Sequence, residues 1–159
     1  MRDPLTWERL VSVEIRAAKS VDVEAIRGLV QRAYGPYVSR IGREPRPMEE
    51  DYGVKVAEGL VTVAEDCGEV VGLIVLVTEP DCLLVENVAV EPGRQSEGIG
   101  RALLAYAEGV ARDAGLSALR LYTHVAMTEN RAFYPRLGYE ETDGGAEEDS
   151  ERAFFRKRL

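Results

Sequence analysis

GRQSEGIGRALL, residues 93–104, changes within a few positions from small and charged residues to the apolar spacing of a helix. Gly98 and Gly100 lie at the change. The first turn of a helix has backbone N–H groups without partners and carries the positive end of the helix dipole, so it binds anions. A glycine there lets a phosphate approach the backbone without meeting a Cβ atom. The stretch therefore predicts a phosphate-binding loop, with Arg94 and Arg101 adding positive charge.

The same glycines have other interpretations. A plain strand-to-helix turn uses such residues without any ligand. The stretch is not a P-loop, because no Gly-Lys-Ser/Thr follows. It matches a dinucleotide-binding fingerprint poorly, because no third glycine arrives. The choice between a phosphate-binding loop and a plain turn therefore depends on the surrounding elements.

Apolar periodicity and turn residues predict an α+β domain. Strands are predicted at 13–16, 60–65, 70–78, 83–90, 119–123, 139–142 and 153–157. Helices are predicted from a cap at Ser20 to about 34, and over 48–58, 98–114 and 127–137, with loops at 35–48 and 143–151. A hairpin turn at 66–69 indicates that the sheet is mostly antiparallel in its first half.

Length and composition describe an ordinary globular chain. The 159 residues suit one domain, 1–159, and 45% of them are hydrophobic and 30% charged. Residues 1–10 lack the pattern of a signal peptide, and no apolar run is long enough to span a bilayer. We therefore expect a cytoplasmic protein without membrane contact. A net charge of −8 without a basic stripe argues against nucleic acid as a partner.

Cysteine and histidine are too scarce to predict a metal site. Cys67 and Cys82 form no C-x-x-C motif, and His124 is the single histidine. We expect no metal, and we interpret both cysteines as buried or semi-buried free thiols.

The context of the glycines matches a known family. A strand ending in VAV, residues 88–90, is followed by a proline turn and then by QSEGIG, residues 95–100. This order resembles the Q/R-x-x-G-x-G/A signature of the GCN5-related N-acetyltransferase (GNAT) family, in which the loop holds the pyrophosphate of acetyl-CoA. A second segment, NRAFYPRLGY at 130–139, is similar to the family's N-x-x-A-x-x-x-Y-x-x-x-G-[FY] segment.

The predicted elements follow the family's order over nearly the whole chain. The resemblance implies the GNAT fold, a central, mostly antiparallel mixed sheet of about six to seven strands flanked by about four helices. It also implies acetyl-CoA as co-substrate. The cofactor-binding residues that it implies are Val88, Ala89, Val90, Gln95, Ser96, Glu97, Gly98, Ile99, Gly100, Arg101, Asn130 and Tyr134.

Two departures from the family pattern concern these residues. Ser96 and Glu97 stand where the family often has glycine and a basic residue. We expect the Glu97 side chain to face solvent, so that only its N–H serves the phosphate. Asn130 lies four residues before Tyr134, where the family commonly has seven, and Met127 takes the usual position. Asn130 either contacts CoA or caps or braces its own helix.

Acetyl transfer needs a deprotonated amine, a stabilised oxyanion and a proton for the leaving thiolate. The resemblance makes Tyr134 the acid that protonates the CoA sulfur; packing beside Leu137 is the alternative. It also places the oxyanion donor among the backbone N–H groups near 88–90. Glu86, which interrupts an apolar strand, and His124, at the end of the next strand, are candidate bases. The alternative for each of them is a purely structural role. An ordered water is the third candidate for the base.

The loop between the first helices carries a cluster of aromatic and basic residues, Tyr34, Tyr37, Arg40, Arg43 and Arg46. In the GNAT family this loop shapes the acceptor pocket, so the arginines either bind an acceptor carboxylate or are simply solvated.

The sequence therefore predicts an acetyl-CoA-dependent N-acetyltransferase that acts on a primary amine of a small molecule, peptide or protein. The alternative is a non-catalytic acyl-CoA-binding regulatory module of the same fold. A nucleotide-binding domain of another fold fails on strand order. Monomer and homodimer are both compatible with the sequence.

Overall fold

The computed structural model describes residues 13–144 and 150–159. Its strands are β1 Val13–Ala17, β2 Val61–Asp66, β3 Glu69–Thr78, β4 Leu83–Val90, β5 Ala118–His124, β6 Glu140–Thr142 and β7 Arg152–Arg158. Its α-helices are α1 Val23–Tyr34, α2 Val38–Ile41, α3 Tyr52–Ala57, α4 Ile99–Asp113 and α5 Thr128–Arg136. Short 3-10 turns are Ser20–Asp22, Gly35–Tyr37, Arg46–Met48 and Pro92–Glu97.

The strands form a seven-stranded mixed sheet in the order β1-β2-β3-β4-β5-β7-β6. Pairing is antiparallel for β1 with β2, β2 with β3, β5 with β7 and β6 with β7, and parallel for β4 with β5. The predicted α+β class and the mostly antiparallel mixed sheet are therefore confirmed. Within the described residues no helix is long and apolar enough to cross a membrane.

The described residues divide into two compact units, one within the segments 1–75 and 87–104 and the other within 76–86 and 105–159. In the described part of the first unit, α1 places apolar residues three and four positions apart on one face, which is why this segment forms an amphipathic helix. That face packs against inward side chains of β2 and β3 in a core that contains Ile26, Leu29, Val30, Val61, Val63, Leu73 and Val75.

The second unit is organised by the pairing of β5 with β7, which runs from Ala118↔Arg158 to His124↔Arg152. Leu119, Leu121 and Phe155 are buried along these strands. The residue after β7 is also held in place by a hydrogen bond. The Leu159 N–H donates to the Ser117 carbonyl, next to the start of β5, at 2.9 Å.

Several predicted boundaries are wrong for identifiable reasons. Ser20 is not a cap but begins a 3-10 turn, which Asp22 closes by accepting the Lys19 N–H at 2.7 Å. The helix predicted from 48 starts at Tyr52, because Asp51 caps it by accepting the Val54 N–H at 3.1 Å.

The segment predicted as a loop at 35–48 contains the additional one-turn helix α2, which ends at Gly42 in the left-handed conformation with φ 85°. The predicted acidic loop at 143–151 lies partly outside the described residues, at 145–149. Cys82 is a buried free thiol as predicted, but Cys67 is exposed, because it lies at the tip of the β2–β3 hairpin.

Candidate functional site

The predicted phosphate-binding loop is a 3-10 turn followed directly by α4. Gly98 joins the two with φ 85° and ψ 10°, a left-handed conformation that glycine adopts without steric cost. The Ala102 N–H then donates to the Gly98 carbonyl at 3.0 Å and closes the first turn of α4. The N–H groups of residues 99–101 precede that bond, so helix geometry leaves them without an acceptor inside the helix.

Gly100 serves a different purpose from Gly98. A Cβ atom built there would meet only the Val90 Cγ2 atom, at the ordinary contact distance of 3.5 Å. The fold of the first unit therefore does not require glycine at this position. What the missing Cβ provides is open space over the N-terminus of a 15-residue helix, which suits a phosphate.

The start of α4 is fixed by a close approach to β3 that the sequence analysis missed. A Cβ atom on Gly72 would lie 3.0 Å from Ile99 Cγ2 and 3.1 Å from Leu103 Cδ1. Both side chains are buried, so Ile99 can serve a ligand only through its backbone. A glycine inside a strand rich in β-branched residues was the available signal for this contact.

Glu97 does not face solvent, so that prediction is wrong. Its carboxylate accepts the Arg94 Nε–H, with both oxygens at 3.0 Å, and its side chain is only 15% exposed. Arg94 Nη2 also lies 2.7 Å from Asp66 Oδ2 at the end of β2. The hydrogen bonds that Arg94 donates to Glu97 and Asp66 raise the pKa of Arg94. The charge predicted to attract phosphate is therefore paired with two carboxylates.

The remaining loop residues differ in accessibility. Gln95, Ser96 and Arg101 are exposed. Arg101 lies in the first turn of α4, where a cation is near any anion bound at the helix terminus. The cofactor-binding role of these three residues stays a prediction.

Strand β4 alternates in burial beyond Val85. Asn87 and Ala89 are buried, whereas Glu86, Val88 and Val90 are partly accessible. The described pairing of β4 with β5 covers Leu83–Val85, so the segment predicted to offer backbone N–H groups lies beyond it.

Asn87 is the centre of a hydrogen-bond network that the sequence analysis also missed. The Tyr34 hydroxyl donates to Asn87 Oδ1 at 2.5 Å, and Asn87 Nδ2 donates to the Tyr52 hydroxyl at 3.0 Å. The Tyr52 hydroxyl in turn donates to the Pro47 carbonyl at 2.6 Å. Because its amide is satisfied on both sides, the polar Asn87 is stable at 6% exposure inside an apolar strand. Tyr34 therefore belongs to this network.

The rest of the predicted acceptor loop is more open. The Arg40 guanidinium lies over the Tyr37 ring at 5.0 Å from its centroid. The side chains of Arg40, Arg43 and Arg46 are exposed. Their role toward an acceptor stays a prediction.

In the second unit, Tyr134 lies on α5 at 6% exposure within an aromatic group. Its ring centroid is 5.5 Å from that of Phe155 and 5.8 Å from that of Tyr139. The Tyr139 hydroxyl is buried without a hydrogen-bond partner among the described residues, and burial raises its pKa. Packing therefore fixes the Tyr134 ring, a requirement for a positioned acid as well as for a core residue.

His124 is held in one tautomer. Its Nδ1 accepts the Ala126 N–H at 3.0 Å, so in the neutral ring the proton resides on Nε2. The ring nitrogen that remains available is then a hydrogen-bond donor. This arrangement favours a donor over the predicted base at His124.

Asn130 braces its helix. Its Nδ2 donates to the hydroxyl of the buried Thr123 at 3.1 Å, which ties the first turn of α5 to the end of β5. The bracing alternative is thus supported by geometry. Glu86 is half-buried on β4, and its role as base stays a prediction.

Neither cysteine has the features of a nucleophile. A hydrogen bond to Asp66 raises the pKa of the Cys67 thiol, and burial raises the pKa of the Cys82 thiol to about 11. Thiols protonated at neutral pH attack thioesters slowly.

The sequence profile described as Acetyltransferase (GNAT) family matches residues 24–139. No curated protein matches the sequence significantly.

Three solved structures have a similar fold. The PaiA N-acetyltransferase from Thermoplasma acidophilum, in complex with coenzyme A, is 20% identical over 93% of this chain and 99% of its own, with a TM-score of 0.82. A GNAT-family acetyltransferase from Staphylococcus aureus is 15% identical over 92% and 99%, with a TM-score of 0.76. N-acetylglutamate synthase from Neisseria gonorrhoeae, with coenzyme A and N-acetyl-glutamate, is 22% identical over 92% of this chain and 35% of its own, with a TM-score of 0.71.

At these identities the solved structures show the fold, and the profile shows the family. Because the profile spans well over half of the chain, the protein belongs to the acetyltransferase (GNAT) family, and the predicted enzyme class, an acetyl-CoA-dependent acyltransferase, is confirmed.

Proposed function

We propose that this enzyme transfers the acetyl group of acetyl-CoA directly to a primary amine of a small molecule, peptide or protein. The observation that carries the proposal is the left-handed turn at Gly98, which leads into a long helix whose second residue, Gly100, lacks a Cβ atom. A diphosphate fits this arrangement, because backbone N–H groups and the helix dipole both favour an anion there. The coenzyme A in two fold relatives supports the same ligand.

In this proposal the loop before α4 and the end of β4 bind the co-substrate. The N–H groups at 98–101 donate to the diphosphate, and Arg101 adds a positive charge in the first turn of α4. Backbone groups of Val88–Val90 hold the pantetheine arm and donate to the thioester oxygen, as the resemblance implies. When bound, acetyl-CoA supplies an activated acyl group.

Tyr134, Glu86 and His124 have the proposed roles in proton transfer and hydrogen bonding. The Tyr134 hydroxyl donates its proton to the sulfur as the carbon–sulfur bond breaks and the new carbon–nitrogen bond forms. Glu86, directly or through a water, accepts the proton that the amine loses. His124 has only Nε2 left to offer a hydrogen bond, because its Nδ1 accepts the Ala126 N–H. No acetyl-cysteine intermediate is invoked, since the pKa of each thiol is raised.

The experiment that tests the function is turnover with a panel of amines. Purified enzyme is incubated with acetyl-CoA and separate pools of polyamines, aminoglycosides, amino acids and short peptides. Release of the CoA thiol is followed colorimetrically, and mass spectrometry identifies any product 42 mass units heavier than an amine. Acetylated product is expected from at least one pool. CoA binding without acetylation of any amine would contradict the proposal and favour a non-catalytic acyl-CoA-binding module. The cytoplasmic location and the oligomeric state stay predictions.

A further inference from the structure

We propose that Asp66, Arg94 and Glu97 form a clasp that holds the phosphate-binding loop in its binding conformation. In this role Glu97 is a positioning residue for acetyl-CoA, which explains an acidic residue inside an anion-binding loop. The inference rests on the proposed function, since the loop's ligand is the diphosphate of acetyl-CoA. The clasp is defined by one guanidinium that contacts two carboxylates at 2.7 to 3.0 Å.

The clasp joins a 3-10 turn to a strand of the sheet. Arg94 and Glu97 belong to the 3-10 turn that ends one residue before Gly98. Asp66 belongs to β2, where its backbone pairs with Val13 of β1 and with Glu69 of β3. The sheet therefore fixes the position of Asp66. Arg94 holds the loop relative to Asp66, because its planar guanidinium group contacts both Asp66 and Glu97.

The start of the loop has separate anchors. The Glu91 N–H donates to the Val71 carbonyl at 2.9 Å, and the Glu91 carboxylate accepts two bonds of 2.8 Å from Arg32. The Arg94 N–H donates to the Glu91 carbonyl at 2.8 Å. These contacts hold the first part of the turn. The clasp acts on its last part, next to the N–H groups that bind the ligand.

The charge of Glu97 and its bracing role predict effects of opposite sign. If Glu97 acted only as a charge, removing it would reduce repulsion of the diphosphate and leave the Arg94 cation paired with Asp66 alone, so acetyl-CoA would bind more tightly. If Glu97 braces the loop, removing it lets Arg94 and the 3-10 turn take other conformations, and binding weakens. All three side chains are mostly shielded from solvent, at 14%, 15% and 23% exposure, so they are pre-organised rather than loosely associated. We infer that bracing prevails.

The test compares Glu97→Gln and Asp66→Asn with Glu69→Gln, a matched control that removes one exposed carboxylate from the same hairpin. Each variant is assayed with acetyl-CoA and with acetyl-pantetheine, a thioester without the diphosphate. For both clasp variants we expect KM for acetyl-CoA to rise about three- to tenfold, with kcat/KM for acetyl-pantetheine within about twofold of wild type. The control is expected to leave both values unchanged or to lower KM for acetyl-CoA slightly.

A KM for acetyl-CoA that is unchanged or lower in Glu97→Gln would overturn the clasp. A parallel loss with acetyl-pantetheine would overturn it too, since that pattern reports general damage to the fold. Arg94→Lys, which keeps the charge but not the fork, should weaken acetyl-CoA binding as well. Calorimetric titration of each variant with CoA gives the same comparison without turnover. If wild type binds CoA but acetylates no amine, the proposed function fails while the clasp is still tested by these dissociation constants.

Discussion

At the level of single residues, we expect the two glycines of the loop to have different roles, Gly98 in stability and Gly100 in ligand binding. Gly98 adopts φ 85°, whereas a Cβ atom on Gly100 meets only ordinary contact. Gly98→Ala should therefore lower the free energy of unfolding by about 1 kcal/mol, because an alanine is strained in the left-handed region. Gly100→Ala should leave stability unchanged or raise it by up to about 1 kcal/mol, because alanine favours helix.

Ligand affinity is tested with a larger side chain at Gly100. Gly100→Val places a branched side chain over the N-terminus of α4, where the diphosphate is proposed to bind. We expect the Kd for CoA to rise at least about tenfold, since this side chain separates phosphate from its N–H donors. Gly100→Ala is the control and should keep most of the affinity, because the family signature accepts alanine at this position. Urea unfolding measures stability, and calorimetric titration measures affinity. A Gly100→Val protein with wild-type affinity would exclude phosphate from this face of the helix.

Tyr134 and Tyr139 form a matched pair for testing the acid. Tyr134→Phe keeps the ring that packs on Phe155, so the fold and the Kd for CoA should persist. If the hydroxyl protonates the departing sulfur, kcat and kcat/KM should fall together by about 10²-fold. Tyr139→Phe removes a buried hydroxyl that has no partner among the described residues, so it should keep kcat and be neutral or stabilising. Single-turnover kinetics are required, and equal kcat in the two variants would make Tyr134 a packing residue.

At the level of elements, the connection between β1 and α1 depends on a buried carboxylate. Arg16 donates to both Asp22 oxygens, at 2.8 and 3.0 Å, and also to Glu65 on β2. The Arg16 hydrogen bond is the main reason that the pKa of Asp22 is lowered in the folded protein. Asp22 therefore contributes stability above its unfolded-state pKa of about 3.9, and that contribution is lost as the pH falls through the lower folded-state pKa.

Asp22→Asn tests this connection. At pH 7 the variant should lose about 1–3 kcal/mol of unfolding free energy, because it leaves Arg16 partly buried without this charged partner. Below pH 4 the difference from wild type should shrink, since protonated Asp22 resembles asparagine. Urea unfolding between pH 7 and pH 3 measures this dependence. Glu24→Gln, an exposed carboxylate in the first turn of α1, is the control and should follow the wild-type pH dependence. Parallel curves for Asp22→Asn and wild type would contradict the assignment.

Elements were predictable from the sequence where local pattern determines them. β4 was predicted at its observed bounds, because an apolar run lies between the prolines Pro80 and Pro92. α4 was predicted within one residue at each end, because its apolar spacing lies between Gly98 and Gly115. The start of α3 was predicted at 48, four residues too early. Several residues before Tyr52 can begin a helix, and only the structure shows that Asp51 caps it. The pairing of Arg94 with Asp66 and of Asn87 with Tyr34 was not predictable, since each joins residues that only the folded sheet brings together. The orientation predicted for Glu97 was wrong for a local reason, because the 3-10 turn that brings its carboxylate to Arg94, three residues earlier, was not predicted.

At the level of the whole molecule, the two compact units share their secondary structure. β3 continues from Val75 in one unit to Leu76 in the other, β4 from Glu86 to Asn87, and α4 from Leu104 to Ala105. Neither unit contains these elements complete, and breaking a strand or helix in the middle exposes its backbone and apolar face. We therefore propose that the chain is one cooperative domain.

One domain should unfold in a single transition whose calorimetric and van't Hoff enthalpies agree. CoA at about one hundred times its Kd should stabilise the folded state by about 2.7 kcal/mol, which for a chain of this size raises Tm by roughly 5–10 °C. Because the proposed ligand contacts lie largely in the first unit, the test is whether the whole transition moves. Two calorimetric transitions, of which CoA shifts only one, would contradict a single domain. The expected result is a single transition that shifts as a whole in wild type and much less in Gly100→Val at the same CoA concentration. Mass action then couples the loop at the start of α4 to the stability of the entire chain.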